Sequence, residues 1–155
     1  DGRALTQSLA IVEWLDEQYP TPALLPGDPW ARAQAREIAL LIACDIHPVD
    51  NLRVLQYLTG TLGISEEQKL AWYRHWVETG LTALEAMLSI SPVRGRCCVG
   101  DQPTLADLCL VPQLYNARRF KIGLAPFPTL VAIDAACAAL EPFQRAAPDA
   151  QPDAE

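Results

Sequence analysis

Apolar residues recur at helical spacing along almost the whole chain. Leu5, Leu9, Val12, Leu15 and Tyr19 fall on one face, the three-and-four periodicity of an amphipathic helix. That helix opens at Thr6 or Ser8, runs to about Gln18, and is ended by Tyr19-Pro-Thr-Pro22, because a residue before proline is pushed out of the helical region. Ahead of it, Asp-Gly-Arg-Ala-Leu at 1–5 reads as a turn and a short strand. Residues 20–28 carry three prolines and a glycine and read as a linker. Asp28-Pro29 is an N-cap followed by a proline at the first helical position, where the missing N–H costs nothing. A long helix is expected from Pro29 to about Leu58, kinked at Pro48, whose ring clashes with the preceding turn.

The second half continues the pattern. Gly60–Gly63 is a loop, and Ser65 with Gln68 makes a capping box that opens a helix over 66–89. Its inward face is Leu70, Tyr73, Val77, Leu81, Leu84 and Leu88. A loop over 90–103 leads to a helix from Thr104 that Pro112 should bend; Pro126-Phe-Pro128 starts another over about 129–140, and 141–147 forms a last short one. The tail 148–155 is polar, rich in proline and acid, and expected to be loose. No internal repeat is visible. The pattern is that of an all-α protein.

Charge and cysteine content narrow the partners. A net charge of −7 over 155 residues argues against nucleic acid or an anionic membrane, both of which select a basic face. A few arginines in a pocket still suffice for a small anion. No apolar run approaches the ~20 residues of a membrane span, and no signal peptide is expected from a chain that opens Asp-Gly-Arg. The five cysteines, Cys44, Cys97, Cys98, Cys109 and Cys137, are odd in number and lack metal-site spacing. They read as free buried thiols of a reducing cytosol, with no metal expected.

The segment Val99–Phe120 is the most informative. Thr104 caps a helix start, and Asp107, three residues on, reaches back to the Thr104 N–H, a capping box with Asp in place of Glu. The run Leu105, Ala106, Leu108, Cys109, Leu110, Val111 wraps nearly the whole helix, so it should be buried. As a cap alone, Asp107 should be worth ~1–2 kcal/mol. Gly100-Asp-x-Pro-Thr-Leu-Ala-Asp-Leu108 resembles the helix start buried in the all-α domain of glutathione transferases. The continuation Val111-Pro-Gln…Asn116-Ala-Arg-Arg-Phe120 resembles the zeta class, which contains the maleylacetoacetate isomerases.

Several expectations follow from that resemblance. It implies that residues 1–19 are the final strand and helix of a thioredoxin-like, glutathione-binding α/β domain otherwise absent from the chain, that 20–28 is a linker, and that 29–147 is the all-α C-terminal domain. It implies glutathione as cofactor, a homodimer, a cytoplasmic location and a small dicarboxylate substrate. The implied activity is glutathione-dependent cis–trans isomerisation of maleylacetoacetate to fumarylacetoacetate in aromatic catabolism. Maleylpyruvate isomerase, a general glutathione transferase, and a non-catalytic interaction module remain alternatives. The thiol-activating residues are expected outside this chain.

Site residues combine composition with resemblance. Ser8 at a helix start offers a hydroxyl beside free N–H groups, a carboxylate site or simply an N-cap; the resemblance assigns Gln7 and Ser8 to glutathione. Ile46–Leu55 places His47, Asp50, Asn51 and Arg53 in an apolar helix, with His47/Asn51 and Asp50/Arg53 sharing faces. From spacing alone, that is a solvated stripe with an Asp50–Arg53 ion pair, or a cleft beside the Pro48 break. By resemblance His47 and Asn51 contact glutathione and Arg53 a substrate carboxylate. Arg118 and Arg119 sit where they complement a helix dipole; the resemblance gives Arg119 a carboxylate and leaves Arg118 on the surface. His75 reads as structural or exposed.

Overall fold

The computed structural model describes residues 2–152 and 154. It places α1 at Ser8–Gln18, α2 at Pro29–Leu40, a π-helical segment at Leu41–Ile46, α3 at His47–Asp50, α4 at Leu52–Gly60, α5 at Glu66–Ser89, α6 at Leu105–Arg119, α7 at Pro128–Ala138 and α8 at Glu141–Ala146. Among the described residues there is no strand, only an isolated bridge between Arg94 and Gly100. The expected short strand over 1–5 is therefore not formed in residues 2–5; Asp1 lies outside the described residues. A strand needs a neighbour for its N–H and C=O groups, and none lies beside this one.

The centre of the bundle is α5. Tyr73, Val77, Leu81, Leu84 and Leu88 are all buried, as their period requires, while Leu70 in the first turns stays exposed. Ser65 and Gln68 form their capping box. α5 packs on the π segment and α7; α6 packs on α2 and α7. Leu105, Ala106, Leu110, Leu114 and Ala117 bury α6 almost completely. Each fully buried leucine contributes ~1.5–3 kcal/mol of transfer free energy. Glu85 of α5 reaches across to α7, accepting from the Thr129 and Leu130 N–H groups at 3.0 and 3.1 Å.

The long helix after Pro29 is interrupted more deeply than a kink. Asp28 caps it, accepting from the Ala31 N–H at 2.8 Å. From Leu41 the ladder widens, and the His47 N–H bonds to the Ile42 carbonyl, five residues back. Pro48 explains this: it has no N–H to give and its ring crowds the turn before it. A π turn relieves the crowding. Trp72 donates its indole N–H to the Val49 carbonyl at 2.9 Å. α5 admits the widened turn at Gly80, where a Cβ would stand 2.3 Å from Ile46 Cγ1.

α1 is different in kind. It buries no residue, and Trp14, Leu15 and Tyr19 are exposed. It is tied down by polar contacts: Arg36 to Glu13 at 2.7 Å, and the Leu24 N–H to Asp16 at 2.6 Å.

Candidate functional site

α1, the π segment, α3 and α6 enclose a cavity of 220 Å³, lined by Ser8, Leu9, Val12, Ile42, Ala43, His47, Leu105, Leu108, Cys109, Pro112, Gln113 and Asn116. Two of its walls are built by prolines. Pro48 forces the π turn that carries Ile42 and Ala43 and presents His47. Pro112 sits inside α6; without an N–H it leaves the Leu108 carbonyl without its intrahelical donor.

At the α1 end of the cavity, the N-cap residue Gln7 has φ 71° and ψ 116°. This is a disfavoured conformation for a residue with a Cβ, costing ~1–3 kcal/mol. The Gln7 side chain makes no capping hydrogen bond. Among the described residues, no side chain caps the first N–H groups of α1, which leaves them facing an anion site with the positive end of the helix dipole behind them. A strained residue at an uncapped helix start is a poor solution for stability and a good one for binding a carboxylate.

A second cavity, of 560 Å³, continues past Pro112 and Asn116, which line both. It is bounded by Tyr115, Arg119, Pro148, Asp149 and Gln151. Arg119 is its guanidinium. Asp149 on the far rim accepts from the Tyr115 hydroxyl at 3.2 Å. Phe120, the next residue in the chain after Arg119, stacks on Tyr73 with ring centroids 3.8 Å apart. Burial pushes the Tyr73 hydroxyl up to about 12; the charge of Asp50 adds to that and the charge of Arg119 opposes it.

The structure thus brings Ser8 and His47 to one cavity and Arg119 to the adjoining one, with Gln7 at the helix cap beside Ser8. Asn51 and Arg53 are placed otherwise. Asn51 caps α4, its side chain accepting from the Val54 N–H at 3.3 Å, and it lines neither cavity. Arg53 is exposed on α4 and lines neither cavity. The solvated-stripe reading also fails, because Asp50 is 7% exposed and neither of its carboxylate oxygens has a hydrogen-bond partner. Asn51, at ψ 161°, breaks the helix between Asp50 and Arg53, so their three-residue spacing no longer sets a common face.

Arg118 is more than a dipole complement. It donates to Asp134 of α7 at 2.5 Å, and Asp134 is nearly buried. Asp107 likewise exceeds its expected role. It is fully buried, and besides the capping box it accepts from the Thr104 hydroxyl at 2.9 Å and from the Cys98 N–H at 2.8 Å, fastening the preceding loop to the helix.

The cysteines are free, but not uniformly buried: Cys44 is exposed and Cys109 only partly covered. The chain folds Cys97, Asp107 and Cys137 together so that one ligand atom of each lies within 4.8 Å of the others, a juxtaposition that sequence spacing hides. The Asp107 oxygens there are already engaged by the donors just named. Burial pushes the Cys97, Cys98 and Cys137 thiols up, and the Asp107 charge pushes the same way. No described helix is long and apolar enough to cross a membrane.

Comparison with known proteins identifies the family of this fold. Residues 74–141 match the model of the glutathione S-transferase C-terminal domain. The chain is 53% identical to maleylpyruvate isomerase from a Ralstonia species over 152 residues, 98% of this chain and 72% of that protein. It superposes with a TM-score of 0.96 on the holo structure of a maleylpyruvate isomerase described as a bacterial zeta-class glutathione transferase, 52% identical, covering 99% of this chain and 73% of that one. It superposes at 0.91, with 49% identity and covering 100% of this chain and 69% of the other, on maleylacetoacetate isomerase from Anaeromyxobacter dehalogenans with dicarboxyethyl glutathione and citrate bound in the active site. With an all-helical bundle, a buried Thr104–Asp107 capping box and a cleft between α1 and α6, the chain belongs to the zeta class of the glutathione transferases.

Proposed function

We propose that the protein is a glutathione-dependent cis–trans isomerase of unsaturated keto diacids, acting on maleylacetoacetate or its shorter analogue maleylpyruvate in aromatic catabolism. The observation that carries this reading is the pair of adjoining cavities. One opens on the uncapped helix start at Ser8, and the other holds the Arg119 guanidinium. The names of the relatives point to the same two substrates.

Glutathione, when bound, supplies a thiolate whose reversible addition to the cis double bond allows rotation about it. The residues of this chain hold and orient. The α1 N–H groups and the Ser8 hydroxyl receive the γ-glutamyl carboxylate, with Gln7 beside them, and His47 closes the opposite wall. In this reading Asn51, at the α4 cap, contacts glutathione and Arg53, exposed on α4, a substrate carboxylate, both from outside the two cavities that this chain lines by itself. Arg119 takes a substrate carboxylate bidentately, holding the double bond in reach of the sulfur. The group that ionises the thiol is assigned to a thioredoxin-like half preceding these residues, against which the exposed Trp14, Leu15 and Tyr19 of α1 would pack. The same reading assigns a homodimer, supported by exposed apolar side chains such as Leu52, Tyr57 and Leu62, and a reducing cytoplasm, supported by five free cysteines.

The test is turnover of maleylacetoacetate and maleylpyruvate by the full-length protein with glutathione. Isomerisation of either, abolished by omitting glutathione, supports the reading. Conjugation of glutathione to halogenated acids without isomerisation of either diacid would replace it with a general transferase.

A further inference from the structure

The segment after α8, rich in proline and acid, is fastened rather than loose. Pro148–Ala150 forms a single 3-10 turn. The Gln151 amide latches it, donating to the Arg145 carbonyl at 2.7 Å and to the Ala147 carbonyl at 3.1 Å. The turn lies back against α6, where Asp149 accepts from the Tyr115 hydroxyl. The second cavity exists because of this latch. Pro112, Tyr115, Asn116 and Arg119 share one face of α6, and every other lining residue, Pro148, Asp149, Gln151 and Ala154, comes from the segment. Take the segment away and one face of a helix is left. The two charged side chains of the lining stand on opposite sides, Arg119 on the helix and Asp149 on the segment. Among the described residues Arg119 makes no ion pair, whereas Arg118 beside it is held by Asp134.

We propose that the segment after α8 measures the substrate: it ends the space open to the distal arm of the diacid, and its Asp149 carboxylate turns back an arm that carries its own carboxylate past Arg119. The proposal rests on the diacid reading above. Maleylpyruvate and maleylacetoacetate are identical about the double bond and differ by one CH2 in the arm beyond it. The double bond must stay at the glutathione sulfur, so the arm is the part that extends into the second cavity. A shorter arm leaves its carboxylate at the guanidinium. A longer arm carries it on toward the segment, into a latched wall and a like charge. One methylene is enough for discrimination on the order of tenfold, and an exposed charge adds a smaller, salt-screened share. The chain therefore favours the shorter diacid, and residues that do not line the glutathione cavity set that preference.

The experiment uses the full-length protein saturated with glutathione. The ratio of kcat/KM for maleylpyruvate to that for maleylacetoacetate is measured for wild type, Asp149→Asn, Gln151→Ala and a chain stopped after Ala147. Wild type should favour maleylpyruvate about tenfold. Asp149→Asn keeps the shape and loses the charge, so the ratio should fall about threefold, and less at high salt. Gln151→Ala frees the turn and the stopped chain removes the wall; both should bring the ratio close to parity by raising turnover of maleylacetoacetate. The KM for glutathione should stay at its wild-type value throughout, a result that general loosening of the fold would not give. A wild-type preference for the longer diacid, or a ratio that either point variant leaves unchanged, overturns this proposal and leaves the diacid reading standing. Turnover of neither diacid by wild type overturns the diacid reading and this proposal with it. If the stopped chain does not fold, the two point variants decide.

Discussion

Replacing Asp107 by alanine removes one carboxylate and strands four donors, of which the Cys137 thiol at 3.9 Å is the weakest. The Cys98 N–H, the Thr104 N–H and the Thr104 hydroxyl bond to it at 2.8, 2.8 and 2.9 Å, all within the buried region. The hydroxyl can rotate to another acceptor; the two backbone N–H groups cannot. Hydrogen bonds to a charged group contribute ~1.5–3 kcal/mol each, and a stranded buried donor costs a similar amount. Two such donors give a loss of ~3–6 kcal/mol, against ~0.5–2 kcal/mol for deleting a surface cap. Since whole domains are stable by only ~5–15 kcal/mol, the variant should retain little margin. Asp107→Asn should fall between, at roughly 1.5–3 kcal/mol, because its amide oxygen serves one N–H while its NH2 confronts the other. The assay is urea denaturation of the full-length protein at pH 7, followed by far-ultraviolet circular dichroism. Asp107 lines neither cavity, so the KM of the folded fraction should stay unchanged. A loss below ~1 kcal/mol for the alanine variant would mean that the loop does not depend on this carboxylate, and the helix cap would be its whole role.

Other outcomes follow from the same contacts. Arg119→Ala should lower kcat/KM for a dianionic cis-keto acid at least about tenfold, ~1.4 kcal/mol, with glutathione affinity nearly unchanged; Arg119→Lys should recover only part, since ammonium does not grip a carboxylate bidentately. Arg118→Ala should leave kcat/KM intact but cost ~1–2 kcal/mol in thermal or urea unfolding, because Asp134 is left nearly buried without its partner. Asp50→Asn should stabilise the protein at alkaline pH. The folded-state carboxyl, raised from 3.8 to about 7, binds a proton that the unfolded chain releases. Wild-type stability therefore falls as pH rises from about 4 to 7, by roughly 2–4 kcal/mol, and denaturation of the variant across that window should lack this fall.

The elements most legible in the sequence were those whose signals are local. Asp28-Pro29, the Ser65–Gln68 box and the period of Tyr73, Val77, Leu81, Leu84 and Leu88 each depend on residues within a turn or two, and each is realised. The Thr104–Asp107 box was legible for the same reason, but its third donor, Cys98, comes from a loop. What escaped depends on partners distant in the chain. Nothing around Glu85 announces that it caps a helix 44 residues on, and nothing in Arg-Arg-Phe says that Arg118 faces Asp134 while Arg119 faces a cavity. Pro48 announced a disturbance but not its form. The widened turn and the break at Asn51 together bury Asp50, which a continuous helical wheel sets beside Arg53. In the candidate site, the resemblance pointed to Ser8, His47 and Arg119, which line the two cavities, whereas the strained backbone of Gln7 is visible only in the fold.

The widened turn at Leu41–Ile46 has a bearing on how this cleft tolerates change in length. A π turn accommodates one residue more than an α turn, so it acts as an insertion already absorbed by the helix. Removing a single residue between Leu41 and Ile46 would close the ladder to α spacing and rotate everything downstream by about 100° relative to α2. His47 would swing off the cavity wall, and Ile46 would leave the notch that Gly80 provides for it. Substitutions along this stretch should be absorbed far more readily than a one-residue deletion, although the deletion would make a more regular helix. The irregularity is what keeps α2 and the cleft-facing His47 in register.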